Sequence, residues 1–121
     1  MTSADGKDQS PEAWARAARL GSALELSGEL RGQEDLVIQG RVRGNILLPE
    51  NDILIAESAR VEGDIQVRNI IVRGEVTGNI TASGRAVIER TGRLDGDLAA
   101  SVIAVEDGAR FKGGVKILRQ A

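Results

Sequence analysis

Cysteine, histidine and tyrosine are absent from this 121-residue chain, and phenylalanine and tryptophan occur once each. Without cysteine there is neither a disulfide framework nor a thiolate metal site. Without histidine the chain lacks the commonest metal ligand and the usual general base near neutral pH. Sixteen Lys and Arg against eighteen Asp and Glu leave a net charge of −2, with the two signs intermixed, which argues against nucleic acid as the main partner. No apolar run approaches the roughly 18 residues of a membrane-spanning helix. The first eight residues, Met1 to Asp8, contain no apolar signal-peptide core, so a cytoplasmic location is the expectation.

What the chain has in quantity is isoleucine (11), valine (10) and glycine (15). β-Branched residues are stiff and suit a pleated, half-buried surface, whereas glycine marks sharp turns and close backbone approach. With so few aromatics to fill a broad core, the expected interior is narrow and built from aliphatic rungs. The order of these residues is periodic. The apolar pairs Leu36/Ile38, Ile53/Ile55, Ile70/Val72, Ala86/Ile88 and Ile103/Val105 step along the chain at intervals of 17, 17, 16 and 17. Each pair is followed by an apolar residue, one residue and a glycine: Val42-x-Gly44, Val61-x-Gly63, Val76-x-Gly78, Leu94-x-Gly96 and Phe111-x-Gly113. Beyond the glycine come Asn or Asp and another apolar residue, as in Asn45-Ile46, Asp64-Ile65, Asn79-Ile80 and Asp97-Leu98, with Gly114-Val115 in the last copy. A fixed period in this range means one unit stacked many times.

The apolar runs have period two and are only three to four residues long, and no two-residue hairpin signals separate them. The expected fold is therefore all-β: a single-stranded parallel β-helix of about six short coils, three short strands per coil, with one residue of each apolar pair pointing inward. At about 4.8 Å per coil it makes a rod roughly 25–30 Å long. The first copy reads as a shortened one, Leu24, Leu26, then Leu30-x-Gly32. The gap from first to second strand is four residues after Ile38 and Val72 and six after Ile55, Ile88 and Val105. Both are even, so inward residues keep their side, and the extra pairs Ser58-Ala59 and Thr91-Gly92 are expected to bulge at a corner. The β-helix domain spans 23–118, with 119–121 as the C-terminal end. Residues 1–22 form a tail, polar and disordered at first, with a short helix expected over 11–20, where Ser10 serves as N-cap and Pro11 opens the first turn. Trp14, Ala17 and Ala18 share one face of that helix; Trp14 is the candidate tail contact, to the rod, to a neighbouring molecule or to a membrane.

No catalytic constellation is visible, and neither a cofactor nor a metal is expected. The Asn/Asp series at 45, 64, 79 and 97 lacks the nine-residue GGxGxD period of a calcium ladder; tight turns with left-handed backbone and side-chain bonds to nearby amides explain it better. Arg41, Arg43, Arg60, Arg93 and Arg110 flank the second strand. Stacking sets Arg43 beside Glu62 and Asp95 beside Lys112, but also Arg41 beside Arg60. This reads as a solvated face with scattered ion pairs, or else a docking surface for an anionic partner. Left-handed β-helix enzymes need six-residue repeats and generally a histidine, and Thr77, Thr81 and Thr91 do not form an ice-binding array. The ends of the rod are more informative. Phe111 takes an inward slot in the final coil, and the eight residues after Gly113 suffice for one strand but no capping helix. An uncapped solenoid end presents unpaired amides and an apolar cross-section, which invites end-on-end stacking. The candidate assembly residues are Phe111, Val115 and Ile117 at the C-terminal end and Leu24, Leu26 and Leu30 at the N-terminal end.

The run Glu34-Asp35-Leu36-Val37-Ile38-x-Gly40, followed by Val42-x-Gly44-Asn45-Ile46, resembles the signature of bactofilins, bacterial polymer-forming cytoskeletal proteins. Val61-x-Gly63-Asp64-Ile65, Val76-x-Gly78-Asn79-Ile80 and Ala109-x-Phe111-x-Gly113 continue the likeness over roughly 24–116. The resemblance implies a right-handed β-helix that polymerises through its ends into non-polar filaments without nucleotide. It implies that Phe111 belongs to the polymerising end, and that the partners are the chain itself together with cell-envelope or morphogenesis proteins scaffolded at the inner face of the membrane. Residues 1–10 lack the short hydrophobic motif with which many bactofilins touch the membrane, which points away from direct membrane binding, and the C-terminal recruiting tail is nearly absent. A non-polymeric β-helical module docking a protein or an envelope polymer on one face is the alternative.

Overall fold

The computed structural model describes residues 18–118, and every regular element in that range is a β-strand. The strands are β1 (Ala18–Leu20), β2 (Glu25–Arg31), β3 (Leu36–Ile38), β4 (Arg41–Ile55), β5 (Arg60–Glu62), β6 (Ile65–Val72), β7 (Glu75–Thr77), β8 (Ile80–Ile88), β9 (Arg93–Asp95), β10 (Leu98–Val105), β11 (Arg110–Lys112) and β12 (Val115–Ile117). They form one twelve-stranded sheet whose strands pair in parallel, each segment lying on its equivalent one coil away. Wound this way the sheet is a β-helix of about six coils with three faces. The first face stacks Ala18–Leu20, Leu36–Ile38, Ile53–Ile55, Ile70–Val72, Ala86–Ile88 and Ile103–Val105. The second carries the column Leu26, Val42, Val61, Val76, Leu94, Phe111. The third carries Leu30, Ile46, Ile65, Ile80, Leu98, Val115.

The core is the aliphatic ladder that the composition implies: Ile38, Ile53, Ile55, Ile70 and Ile88 are all 1% exposed or less. Both members of each first-face pair point inward, not one, because residues two apart on a strand share a side; the residue between them points outward. The repeat also begins earlier than the sequence suggests. Ala18, Arg19 and Leu20 pair with Leu36, Val37 and Ile38, held by Ala18 N–H to the Asp35 carbonyl (2.9 Å) and Gln39 N–H to the Leu20 carbonyl (2.8 Å). The helix expected over 11–20 thus gives way to strand at 18–20, where burial alternates with period two; residues 11–17 lie outside the described range. In the first coil the glycine equivalent to Gly44 is Gly28, not Gly32, since Leu26-Ser27-Gly28 lies in register with Val42-Arg43-Gly44.

The corner between second and third faces is a column of glycines. Gly28, Gly44, Gly63, Gly78, Gly96 and Gly113 have φ between +119° and +141°, and an added Cβ on Gly44 or any later one would sit 1.7–2.1 Å from the carbonyl oxygen of the glycine one coil back. Glycine alone tolerates both conditions. The expected left-handed Asn/Asp residues are accordingly absent: no described non-glycine residue has positive φ. The neighbouring glycine takes that conformation, and the Asn/Asp side chain is left to accept from the next coil, as Gly114 N–H donates to Asp97 Oδ1 (3.1 Å) and Asp64 N–H to Asn45 Oδ1 (3.4 Å). The bulges expected at Ser58-Ala59 and Thr91-Gly92 sit one residue earlier. Glu57-Ser58 and Arg90-Thr91 are the exposed pairs, while Ala59 and Gly92 fold back into the column that runs on to Gly74. Their carbonyls accept the Glu75 and Arg110 amides (3.1 and 3.0 Å) and so rejoin the ladder.

Candidate functional site

The last coil keeps the inward slots but loses their cover. Val115 and Ile117 lie in register with Leu98 and Ala100, which are 1% and 0% exposed, yet both are themselves 56% exposed. Val105 stacks on Ile88 in the same way and is 49% exposed against 1%. The physical reason is parallel stacking itself: each rung is closed by the next, and among the described residues no strand stacks on β12. Phe111 stands half-buried on Leu94, packed against the core, at the end of a column that widens from valine through leucine to phenylalanine. The three residues expected at the C-terminal end therefore do share one apolar cross-section, joined by Val105 and the half-buried Ile103. Val105 could have been picked from the sequence as the last member of the first-face series.

The opposite end is less open. Leu26 and Leu30 are half-buried and pack against the core together with Ala18 and Leu20. Leu24 does not belong with them. It is 55% exposed at a corner, where its carbonyl accepts the Arg41 amide (3.0 Å) in the column continued by Gly40, Ala59 and Gly74. One residue before the second strand, it heads the corner column whose later members are glycine or alanine, and Ala59 in that column is buried in the core. The two end residues not read from the sequence are Ala18 and Leu20, hidden in a segment that carries helix signals. Between Leu30 and Leu36 the chain takes a longer corner, and a depression there is lined by Ala18, Leu30, Leu36 and Leu48 with 31–34.

The polar groups along the rod are structural in their geometry. Asp52 is 1% exposed and bridges coils: its amide donates to Asp35 Oδ1 (3.0 Å), while its own Oδ1 accepts from Asn69 Nδ2 (3.0 Å) and pairs with an Arg68 guanidinium nitrogen at 3.2 Å. The ladder continues from Arg85 N–H to Asn69 Oδ1 (2.8 Å). On the second face Arg43 and Glu62 meet at 3.6 Å with both side chains more than 60% exposed, and Glu75 stands in register between Arg60 and Arg93. Asp95 and Lys112 are register neighbours, as are Arg93 and Arg110. Among the described residues no three carboxylates gather as a metal-binding group, and no helix is long and apolar enough to cross a membrane. Trp14 lies outside the described residues.

The comparisons with known proteins fall on this same stretch. Residues 18–116 match the family model of the bactofilins, polymer-forming cytoskeletal proteins. Bactofilin BacO of Myxococcus xanthus is 45% identical over 96 residues, which span 79% of this chain and 75% of that protein. BacN of the same organism is 38% identical over 98 residues, spanning 81% of this chain and 86% of it. BacP is also 38% identical over 96 residues, but these span only 40% of its length. A cryo-EM reconstruction of Thermus thermophilus bactofilin double helical filaments superposes with a TM-score of 0.72 at 32% identity, covering 80% of this chain and 97% of that one. A six-coil β-helix with an uncovered apolar end, matched from its first strand to its last, belongs to the bactofilin family of polymer-forming cytoskeletal proteins.

Proposed function

We propose that this chain is a structural subunit, not an enzyme, that assembles end on end through its apolar cross-sections into filaments. Assembly needs no nucleotide, and pairing of like ends makes the filaments non-polar. The observation that carries this reading is the jump in exposure at the last rung, from 0–1% at Leu98, Ala100 and Ile88 to 49–56% at Ile117, Val115 and Val105. Covering the exposed half of side chains of this size stabilises by about 1 kcal/mol each, and the backbone groups of β12 gain partners in the same step. Phe111, Val115 and Ile117 form the principal contact; Leu26 and Leu30, with Leu24 at their margin, form the opposite one. The filaments act in the cytoplasm as a scaffold for cell-envelope or cell-shape proteins and reach the inner face of the membrane through those partners.

Electron microscopy of the purified protein without nucleotide tests the reading. Wild type is expected to form filaments. Phe111→Arg, which places a charge in the cross-section, is expected to leave short rods with the β-sheet circular dichroism intact. Wild type that forms only discrete rods, or Phe111→Arg filaments indistinguishable from wild type, would refute end-on-end assembly through this surface.

A further inference from the structure

The second face carries an outward row whose charges are arranged unlike those elsewhere on the rod. It runs Arg41, Arg60, Glu75, Arg93, Arg110, in register from coil to coil. All four arginines are exposed, and among the described residues none of them is in an ion pair. Elsewhere, contacts between coils set arginine on acid: Arg43 on Glu62 (3.6 Å), Arg68 on Asp52 (3.2 Å) and Arg73 on Glu89. Here Arg41 lies on Arg60 and Arg93 on Arg110, and like charges directly opposite on neighbouring strands are destabilising. The row thus holds two concentrated positive stations on one straight face, separated by the single half-buried acid Glu75. A shallow depression, lined in part by Glu75, Thr77, Arg93 and Arg110, lies over the C-terminal station. A folded rod gains nothing from stacking arginine on arginine, whereas an anionic group held between two guanidinium groups relieves the repulsion.

We propose that this row docks an acidic segment of a partner protein, extended along the rod axis with carboxylates four residues apart. The inference rests on the reading of the chain as a scaffold, which needs a docking face for what it scaffolds. Charge complementarity and spacing set the motif. From the middle of Arg41/Arg60 to the middle of Arg93/Arg110 is three coil steps, roughly 14 Å. An extended peptide rises about 3.3 Å per residue and alternates sides with period two, so positions i and i+4 stand about 13 Å apart on one side. The carboxylate at i enters one station and that at i+4 the other. Position i+2 then faces Glu75, which repels an acid there and suits a lysine or serine. The same glutamate selects against nucleic acid and an anionic membrane, whose even negative charge meets the central rung as well as the two stations.

The probe is a fluorescein-labelled peptide of glycine and serine with glutamate at its third and seventh positions and lysine at its fifth. Added to the full-length protein in about 20 mM salt, where screening is weak, its fluorescence anisotropy is expected to rise with protein concentration. Arg60→Glu/Arg93→Glu, which reverses one arginine in each station, is expected to weaken binding at least tenfold with the circular dichroism unchanged. The milder Arg60→Gln/Arg93→Gln carries the test should the reversal unfold the rod, and is expected to weaken binding severalfold. Exchanging the lysine with the second glutamate keeps the peptide's composition and sets an acid against Glu75; it too is expected to weaken binding severalfold. Absence of binding to folded wild type, or equal binding of the two peptides or of the folded variants, would overturn the proposal. A short DNA duplex or phosphatidylglycerol vesicles bound more tightly than the peptide through the same arginines would also overturn it, and assign the row to a uniform polyanion. The row lies within one subunit, so unassembled rods are expected to bind as filaments do. Missing filaments in electron microscopy with peptide binding kept would count against end-on-end assembly and support the docking face.

Discussion

Replacing Gly78 by alanine probes the corner on which the stacking of coils depends. Gly78 has φ +132°, and a Cβ there would lie 2.1 Å from the Gly63 carbonyl oxygen, far inside contact distance and against backbone, not a side chain that could swing aside. The dihedral alone costs about 1–3 kcal/mol for a residue with a side chain. Relieving the clash must lift one coil from the next and strain the bonds on either side, Gly63 N–H to the Thr77 carbonyl and Gly78 N–H to the Asp95 carbonyl, both 2.9 Å. At about 1 kcal/mol per hydrogen bond, the total is on the order of 3–5 kcal/mol. Gly32→Ala is the control. It has no positive φ, and its Cβ would meet only the Leu48 Cδ2 atom at 3.5 Å, an ordinary contact, so its effect should stay within about 0.5 kcal/mol. The assay is urea unfolding followed by circular dichroism, with variants and wild type compared at matched concentration because assembly adds to apparent stability. If Gly78→Ala unfolds within about 1 kcal/mol of wild type, the account of the glycine column is wrong.

Two further outcomes concern the polar ladders. Asp52→Ala takes the shared acceptor from the half-buried Asn69 amide and the Arg68 guanidinium, and should cost about 1–3 kcal/mol in the same unfolding assay. Equal stability would show that water reaches this column. Glu62→Gln removes a pair with both partners mostly exposed and should change stability by less than about 1 kcal/mol, with little dependence on salt; a larger loss would mean that the Arg43–Glu62 pair is more desolvated than its exposure implies.

The solenoid was legible because the first face repeats with little variation. The other two faces do not. From Leu26 through Val42, Val61, Val76 and Leu94 to Phe111 the steps are 16, 19, 15, 18 and 17, since corners lengthen and shorten while even spacing preserves the side each residue faces. The C-terminal cross-section was legible at Phe111, Val115 and Ile117 because each continues a column visible in earlier copies. Ala18–Leu20 was not, because Pro11, the alanines and Arg16 carry local helix preference, and only pairing with Leu36–Ile38 overrides it. The low exposure of Val37, Leu54 and Ile71 was also missed, although its signal is present: Leu36-Val37-Ile38, Ile53-Leu54-Ile55 and Ile70-Ile71-Val72 are unbroken apolar triplets, the pattern of a strand buried on both sides.

The sequence by itself determined that this chain stacks: residue spacing and side-chain type are local properties, and a repeated unit that cannot bury its own apolar face has to bury it on its copies. Only the tertiary structure decided which glycine carries the left-handed corner, where the first coil starts, and how far each end is left uncovered. Those depend on which residue comes to lie on which neighbour fifteen to nineteen positions away. Register across that distance is set by the whole stack.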